Sequence, residues 1–380
     1  MLSYLELLQG PDGWFPWRLF GYTSVRCIAA AATAFLVGMW IAPSMIERLR
    51  ALKANAPQRS GKEMAALDKV TAHKKGTPAM GGLIIAIAFL FSCLLWVRAN
   101  PFTLAALVVY VGLAITGFVD DYLKVLKRNA DGIAGRVKIL AQFLVAGAAT
   151  AIVLSDSATA PLVSQFHVPF IKAPLFTDMP WWAVFGLFWL VITASSNAIN
   201  LTDGVDGLAI GCTISTTLAY AVFAYSLGHA IWCTYLGYPF LPGGNEITIL
   251  LAALLGASLA FLWYNAHPAQ VWMGDTGSLA LGGLIGVVAC MTLQPVTLVI
   301  VGAIFVMEAG SVMLQVGYFK LTKRYWPDMT KETRGRRLFL MSPIHHHFQL
   351  KGWHENQVVI RFWILSLICS LAGLATLKLR

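Results

Sequence analysis

The sequence predicts an all-α polytopic membrane protein of about ten transmembrane helices. Three observations carry that prediction. The chain is 58% hydrophobic and only 12% charged, where a soluble domain carries about 25% charged residues. Its 380 residues are divided into apolar runs near the roughly 20 residues that a spanning helix needs. Five polar clusters interrupt those runs, and each follows an odd-numbered one. With short loops no room remains for a separate soluble domain, so 1–380 reads as a single integral membrane domain.

The opening twenty residues lack a basic stretch followed by a long apolar core, so no cleavable signal peptide is expected. Trp14, Phe15, Trp17 and Phe20 read instead as an interfacial aromatic anchor. Span 1 (22–46) leads into a basic loop. Span 2 (77–97) opens on His73-Lys74-Lys75-Gly76-Thr77-Pro78, and its Gly81-Gly82 pair lets another backbone come close. Span 3 (102–119) closes on Asp120-Asp121. Span 4 (136–154) begins with Arg136 and Lys138. The loop 155–180 contains VPFIKAPLF, predicted to form a small hairpin. Span 5 (181–199) ends in NAINLTDGVD, which leads into span 6 (207–227). A turn-rich stretch, 228–246, precedes span 7 (247–264). That span ends at Asn265, in NAHPAQVWMGD. Span 8 (278–293) is short and rich in glycine. Span 9 (296–320) holds Glu308 and is followed by His345-His346-His347. Span 10 (357–377) closes the set.

Basic residues set the orientation. They crowd the loops after spans 1, 3 and 9, for example Arg48, Arg50, Lys124, Lys127, Arg334 and Arg337. Those loops are expected in the cytoplasm, which puts both termini on the periplasmic side and the polar clusters at the cytoplasmic face. The net charge of +10 then marks loops held at an anionic leaflet, and no nucleic-acid partner is expected. All six cysteines lie in or beside apolar segments without a CxxC pair. They read as small core residues.

The clusters carry the chemistry. Asp120 and Asp121 repel one another, which favours either a bound cation or a retained proton. Magnesium sites use one or two carboxylates together with substrate phosphates. Asn197 and Asn200 are three apart on the last turn of span 5. Asp203-Gly204 and Asp206-Gly207 have turn chemistry, and Asp206 is placed to N-cap span 6. Asp275 is placed either to cap span 8 or to leave backbone N–H groups there for a phosphate. Trp272 either anchors at the interface or stacks on a planar base. On a helix, the three histidines point about 100° apart and cannot share one ion. In an irregular loop, two would reach one ligand, with phosphate or sugar favoured over zinc. An unpaired Glu308 inside a span is costly, so it must be paired, protonated or facing a polar cavity. Acids, amides, lysines and histidines at one face suit phosphoryl transfer, which needs positioning and charge neutralisation. A lipid phosphate lies at that level too.

The motifs GTPAMGG, GFVDDYLKV, NAINLTDGVDGLAI, FLWYNAHPAQVWMGDTGSLALGG, SPIHHHFQLKGW and RFWILSLICSLAGLATLKLR closely resemble the phospho-N-acetylmuramoyl-pentapeptide transferases. These are a branch of the polyprenyl-phosphate sugar-1-phosphate transferase superfamily, and the resemblance runs from about Thr23 to the C-terminus. It implies a multi-pass enzyme of the bacterial inner membrane that starts the membrane stage of peptidoglycan synthesis. Such an enzyme takes UDP-N-acetylmuramoyl-pentapeptide and undecaprenyl phosphate to lipid I and UMP with Mg2+, often as a homodimer. It implies Asp275 as a magnesium ligand and catalytic group, with Asp120 and Asp121 at the reaction centre. Asp120 would orient or deprotonate the lipid phosphate. Asn200, Asp203, Asp206, Asn265 and Trp272 would shape the nucleotide site. Lys75, Thr77, His345, His346 and His347 would contact phosphate or sugar–peptide groups. The chain departs from the usual family pattern at Ala79 (commonly Thr), Trp272 (commonly Phe) and Gln349 (commonly Glu), and in the stretches 53–72 and 325–336.

Two rival readings are a sister transferase using another UDP-sugar and a membrane transporter with Glu308 in a proton relay. The transporter requires ionisable groups spread through the depth of the bundle or on both of its faces.

Overall fold

The computed structural model describes residues 1, 2, 4, 18–52, 76–127, 132–325 and 335–379. Trp14, Phe15, Trp17, His73, Lys74 and Lys75 lie outside those residues. Among the described residues, ten long helices make up the fold: α1 (Thr23–Ala51), α2 (Gly82–Trp96), α3 (Pro101–Lys127), α4 (Gly135–Ser155), α5 (Trp181–Thr202), α6 (Leu208–Leu227), α7 (Gly244–Asn265), α8 (Gly274–Met291), α9 (Ala303–Tyr325) and α10 (Glu355–Ala375). Among the described residues, nine of them are long and apolar enough to cross a membrane, and α2, with 15 residues, is the shorter one.

The glycine-rich α8 is the hub. Every residue from Thr276 to Met291 is buried, and the helix packs against α3 and α5. Its small side chains make this possible. Gly282 lies against the backbone of Ser195 and Ser196, and a Cβ at Gly117 of α3 would collide with the carbonyl of Asp275. Close backbone approach of this kind is how helices associate where no hydrophobic effect drives them together. The outer faces show large apolar side chains such as Trp40, Leu94, Trp263 and Met313, as lipid contact requires.

Several boundaries differ from expectation. Helix α3 does not stop at 119. It runs to Lys127 and carries Asp120, Asp121 and Lys124 on its last turns, where lysines suit the negative end of the helix dipole. Span 2 starts at Gly82, not 77. The residues before it bond to the segment leading into α8: the Trp272 N–H donates to Pro78 O at 2.8 Å, and the Gly81 N–H to Trp272 O at 2.8 Å. Span 9 is broken into Leu298–Val301 and α9. The expected hairpin in 155–180 is reduced to one antiparallel bridge, Phe166 to Phe176. Phe20, expected at an interface, stacks on Trp96 with centroids 5.7 Å apart.

Helix α7 separates two polar regions. At its start Glu246 takes both arms of buried Arg26 at 2.6 Å, and Arg26 also donates to Trp96 O at 2.5 Å. At its far end, about 28 Å away along a helix of this length, is Asn265. The Arg26–Glu246 clamp is fully used in joining α1, α2 and α7. The remaining buried acids gather at the Asn265 end.

Candidate active site

The site lies where the C-terminal ends of α3, α5 and α7 meet the N-terminus of α8. Asp120 is fully buried. Its Oδ1 accepts the Ile133 N–H at 2.7 Å, and Oδ2 faces Lys124 Nζ at 2.5 Å and Lys138 Nζ at 3.0 Å. Asp275 Oδ2 accepts from Lys138 Nζ at 2.6 Å, with Lys124 Nζ at 3.2 Å, while Oδ1 accepts from Asn200 Nδ2 at 2.8 Å. Oxygens of Asp120, Asp121 and Asp275 all fall within 4.8 Å of one another. Three carboxylates against two ammonium groups leave one net negative charge. An all-oxygen donor set of that charge fits a hard divalent cation such as Mg2+.

Asp121 has a second duty. It accepts the backbone N–H of Asp275 at 3.1 Å, the N–H of Thr276 at 2.9 Å and the Thr276 hydroxyl at 2.7 Å. It therefore caps α8 from another helix. Asp275, expected as a possible cap, is itself inside the first turn, and α8 has no side-chain cap from its own N-cap residue. Gly274 takes φ +71° with Asp121 Oδ2 directly against it, so only glycine fits.

The turn between α5 and α6 forms the other wall. Asp206 does not cap α6, whose N-cap is Gly207 without a side-chain bond. Its carboxylate instead accepts the Trp272 indole N–H at 3.2 Å and the Ala269 N–H at 3.1 Å, with His267 Nδ1 at 3.3 Å. The half-buried Trp272 is thus tied by its indole N–H to the turn between α5 and α6. Asn265 is a backbone strut, accepting the Gly207 N–H at 3.0 Å and donating to Val271 O at 2.9 Å. Asp203 caps the end of α5. Its carboxyl is pushed up to about 8 by burial and by the facing carboxylates of Asp275 and Asp121. Asp206, His267 and Glu355 form a second group of closely placed donors. The Glu355 carboxylate accepts the Asp206 N–H at 3.0 Å. Asn197 parts from Asn200, reaching Gln142 Oε1 at 3.2 Å on α4. Thr77 lies on the rim, 3.5 Å from Ala269 O.

The histidines stand on a short helix, Ile344–Leu350, and the rings of His345 and His346 pack edge to face with centroids 4.1 Å apart. His345 is wholly buried and meets Glu308 at 3.0 Å. His346 faces Gln349 at 2.8 Å, and His347 Nδ1 accepts the Leu340 N–H at 3.1 Å. The expectation of an irregular loop presenting two of them together is not met. Sequence reading also missed Lys124, Lys138 and Glu355. Lys124 stands four residues after Asp120, a spacing that brings helical side chains together, so it had a local signal. Lys138 and Glu355 had none.

Comparison with known proteins bears on this geometry. The profile of glycosyl transferase family 4 matches residues 103–293, the part that holds all three clustered aspartates. A phospho-N-acetylmuramoyl-pentapeptide-transferase of Opitutus terrae is 50% identical over the whole length of both chains. The enzyme of the same name from Methylacidiphilum infernorum is 45% identical, again over both full lengths. The chain belongs to the phospho-N-acetylmuramoyl-pentapeptide-transferase family. Membership places the chain among multi-pass membrane transferases, in keeping with the nine helices among the described residues that are long and apolar enough to cross a membrane.

Proposed function

We propose that the protein transfers phospho-N-acetylmuramoyl-pentapeptide from its UDP carrier to undecaprenyl phosphate, releasing UMP and forming lipid I at the cytoplasmic face of a bacterial inner membrane. The observation that carries this reading is the acid cluster at one end of a lipid-facing bundle, with Asp120, Asp121 and Asp275 oxygens within 4.8 Å. A polyprenyl tail remains in hydrocarbon while its phosphate reaches such a cluster. Asp120 and Asp275 would hold Mg2+, which neutralises phosphate charge when bound. Lys124 and Lys138 balance the carboxylates and offer ammonium donors to phosphate oxygens. Asp120 would orient or deprotonate the acceptor phosphate. Trp272, held by Asp206, offers a flat face to the uracil, and Asn265 fixes the backbone around it. A homodimer is the expected assembly.

The transporter reading loses its main support. Glu308, inside a span, pairs with His345 at the site end. The Arg26–Glu246 clamp at the other end is closed. The deciding experiment follows radiolabelled donor into an organic-extractable product, with and without Mg2+, using UDP-N-acetylmuramoyl-pentapeptide and UDP-N-acetylglucosamine side by side. Label entering lipid only from the first donor, and only with the cation, is expected. Full transfer after exhaustive chelation would sink the proposal.

A further inference from the structure

Glu308 and His345 form a buried pair for which the reaction proposed above has no use. Both are fully buried, and His345 Nδ1 stands 3.0 Å from Glu308 Oε2. An ionised carboxylate can only accept, so the pair as proposed here puts a proton on Nδ1 toward Glu308, and the other ring nitrogen is directed away from this contact. Among the described residues that nitrogen, Nε2, has no hydrogen-bond partner, and neither has Glu308 Oε1. A buried polar atom left unpaired is costly and calls for a reason.

The direction of Nε2 supplies one. It lies under Gly204, where a Cβ would come within 2.5 Å of it. Gly204 is exposed on its other side and stands between Asp203 and Asp206, in the turn that faces Asp275 and Trp272. No unusual φ is involved at Gly204, so the glycine is needed for space and the imidazole is its floor. Two further supports of the same turn come from the C-terminal part of the chain. Glu355 accepts the Asp206 N–H at 3.0 Å, and Trp363 Nε1 donates to Gly207 O at 3.1 Å. All these supports lie beyond residue 293, where the match to the wider glycosyl transferase family ends.

We propose that Glu308 is a positioning residue: by holding the His345 ring in one orientation beneath Gly204, it sets the Asp203–Asp206 turn against Asp275 and Trp272. The inference rests on the proposed transferase reading for its kinetic consequence, but the orientation of the ring can be read without it. A small displacement of a substrate-positioning turn lowers turnover steeply. Glu308→Gln keeps an acceptor oxygen for Nδ1–H, whereas Glu308→Ala frees the ring.

The test uses the full chain in detergent. Glu308→Ala should lower kcat at least about tenfold, and Glu308→Gln should keep at least about a third of it. Lipid-acceptor KM should stay within about twofold in both. The double variant Glu308→Ala/His345→Ala should be no worse than the poorer single variant, because the two act as one unit. With histidine labelled by 15N, and the His345 signal identified by its loss in His345→Ala, Nδ1 should carry a proton in the unaltered protein and lose it in Glu308→Ala. Wild-type kcat in Glu308→Ala, full additivity of the two losses, or an unchanged Nδ1 proton would each overturn the proposal. If the unaltered protein transfers nothing to lipid, the functional reading fails, and the 15N result still decides the orientation.

Discussion

Removing the Asp121 carboxylate tests whether its first task is structural. Asp121→Ala takes away the acceptor for two buried backbone N–H groups and one hydroxyl at the start of α8. Each buried donor left without a partner costs about 1–3 kcal/mol. The hydroxyl can turn elsewhere, so the two N–H groups set the scale, at roughly 2–6 kcal/mol. Asp121→Asn keeps one acceptor oxygen but turns an NH2 toward the second donor, so about half of that loss is expected. Asp275→Asn makes the contrast. It leaves two carboxylates facing Lys124 and Lys138, a balanced set, and no backbone N–H loses an acceptor. Thermal unfolding in detergent at one scan rate, beside transfer assays on the same preparations, separates the two. Asp121→Ala should melt roughly 5 °C or more below the unaltered protein, with Asp121→Asn between. Asp275→Asn should melt with it. An Asp121→Ala protein that lost transfer but kept its melting midpoint would refute the capping argument and return Asp121 to a purely chemical role.

Asp275→Asn should nearly abolish transfer, because it removes an oxygen from the cation cluster; near-normal turnover would take Asp275 out of that role. Trp272→Ala should weaken UMP binding more than lipid binding, measured by titration of each ligand, and equal losses would favour the anchor reading. Asp203 gives a pH dependence. Its folded carboxyl sits at about 8, far above an ordinary aspartate, so the folded chain keeps a proton that the unfolded chain gives up near pH 4. Stability contributed by this group is therefore full below about pH 4 and declines as pH rises to about 8. In Asp203→Asn, the melting midpoint should fall less over that window than in the unaltered protein; identical slopes would remove the linkage.

Spans and clusters were legible because hydropathy and local spacing are properties of neighbouring residues. The apolar runs of α5, α7 and α8 were placed within a few residues. Asp120-Asp121, NAINLTDGVD and Asp275 were singled out by their position at the ends of apolar runs. What failed was partner choice. Asp206 had the spacing of an N-cap, yet its carboxylate serves Trp272 and Ala269, because α7 and the segment after it pack against the turn. The three histidines fit either a helix or an irregular loop by sequence; they form a helical turn, and their hydrogen-bond partners lie on different segments, Glu308, Gln349 and Leu340.

By itself the sequence determined a membrane-embedded helical chain with its acids massed at one end, since burial of apolar side chains and the cost of unpaired charge in hydrocarbon act residue by residue. Only the tertiary structure decided that Asp121 caps a helix whose start lies 154 positions further along the chain, that Lys138 joins Asp120 and Asp275, and that Glu308 meets His345. Those contacts depend on which helices lie side by side, and the close approach permitted by Gly117, Gly274 and the glycines of α8 sets that neighbourhood.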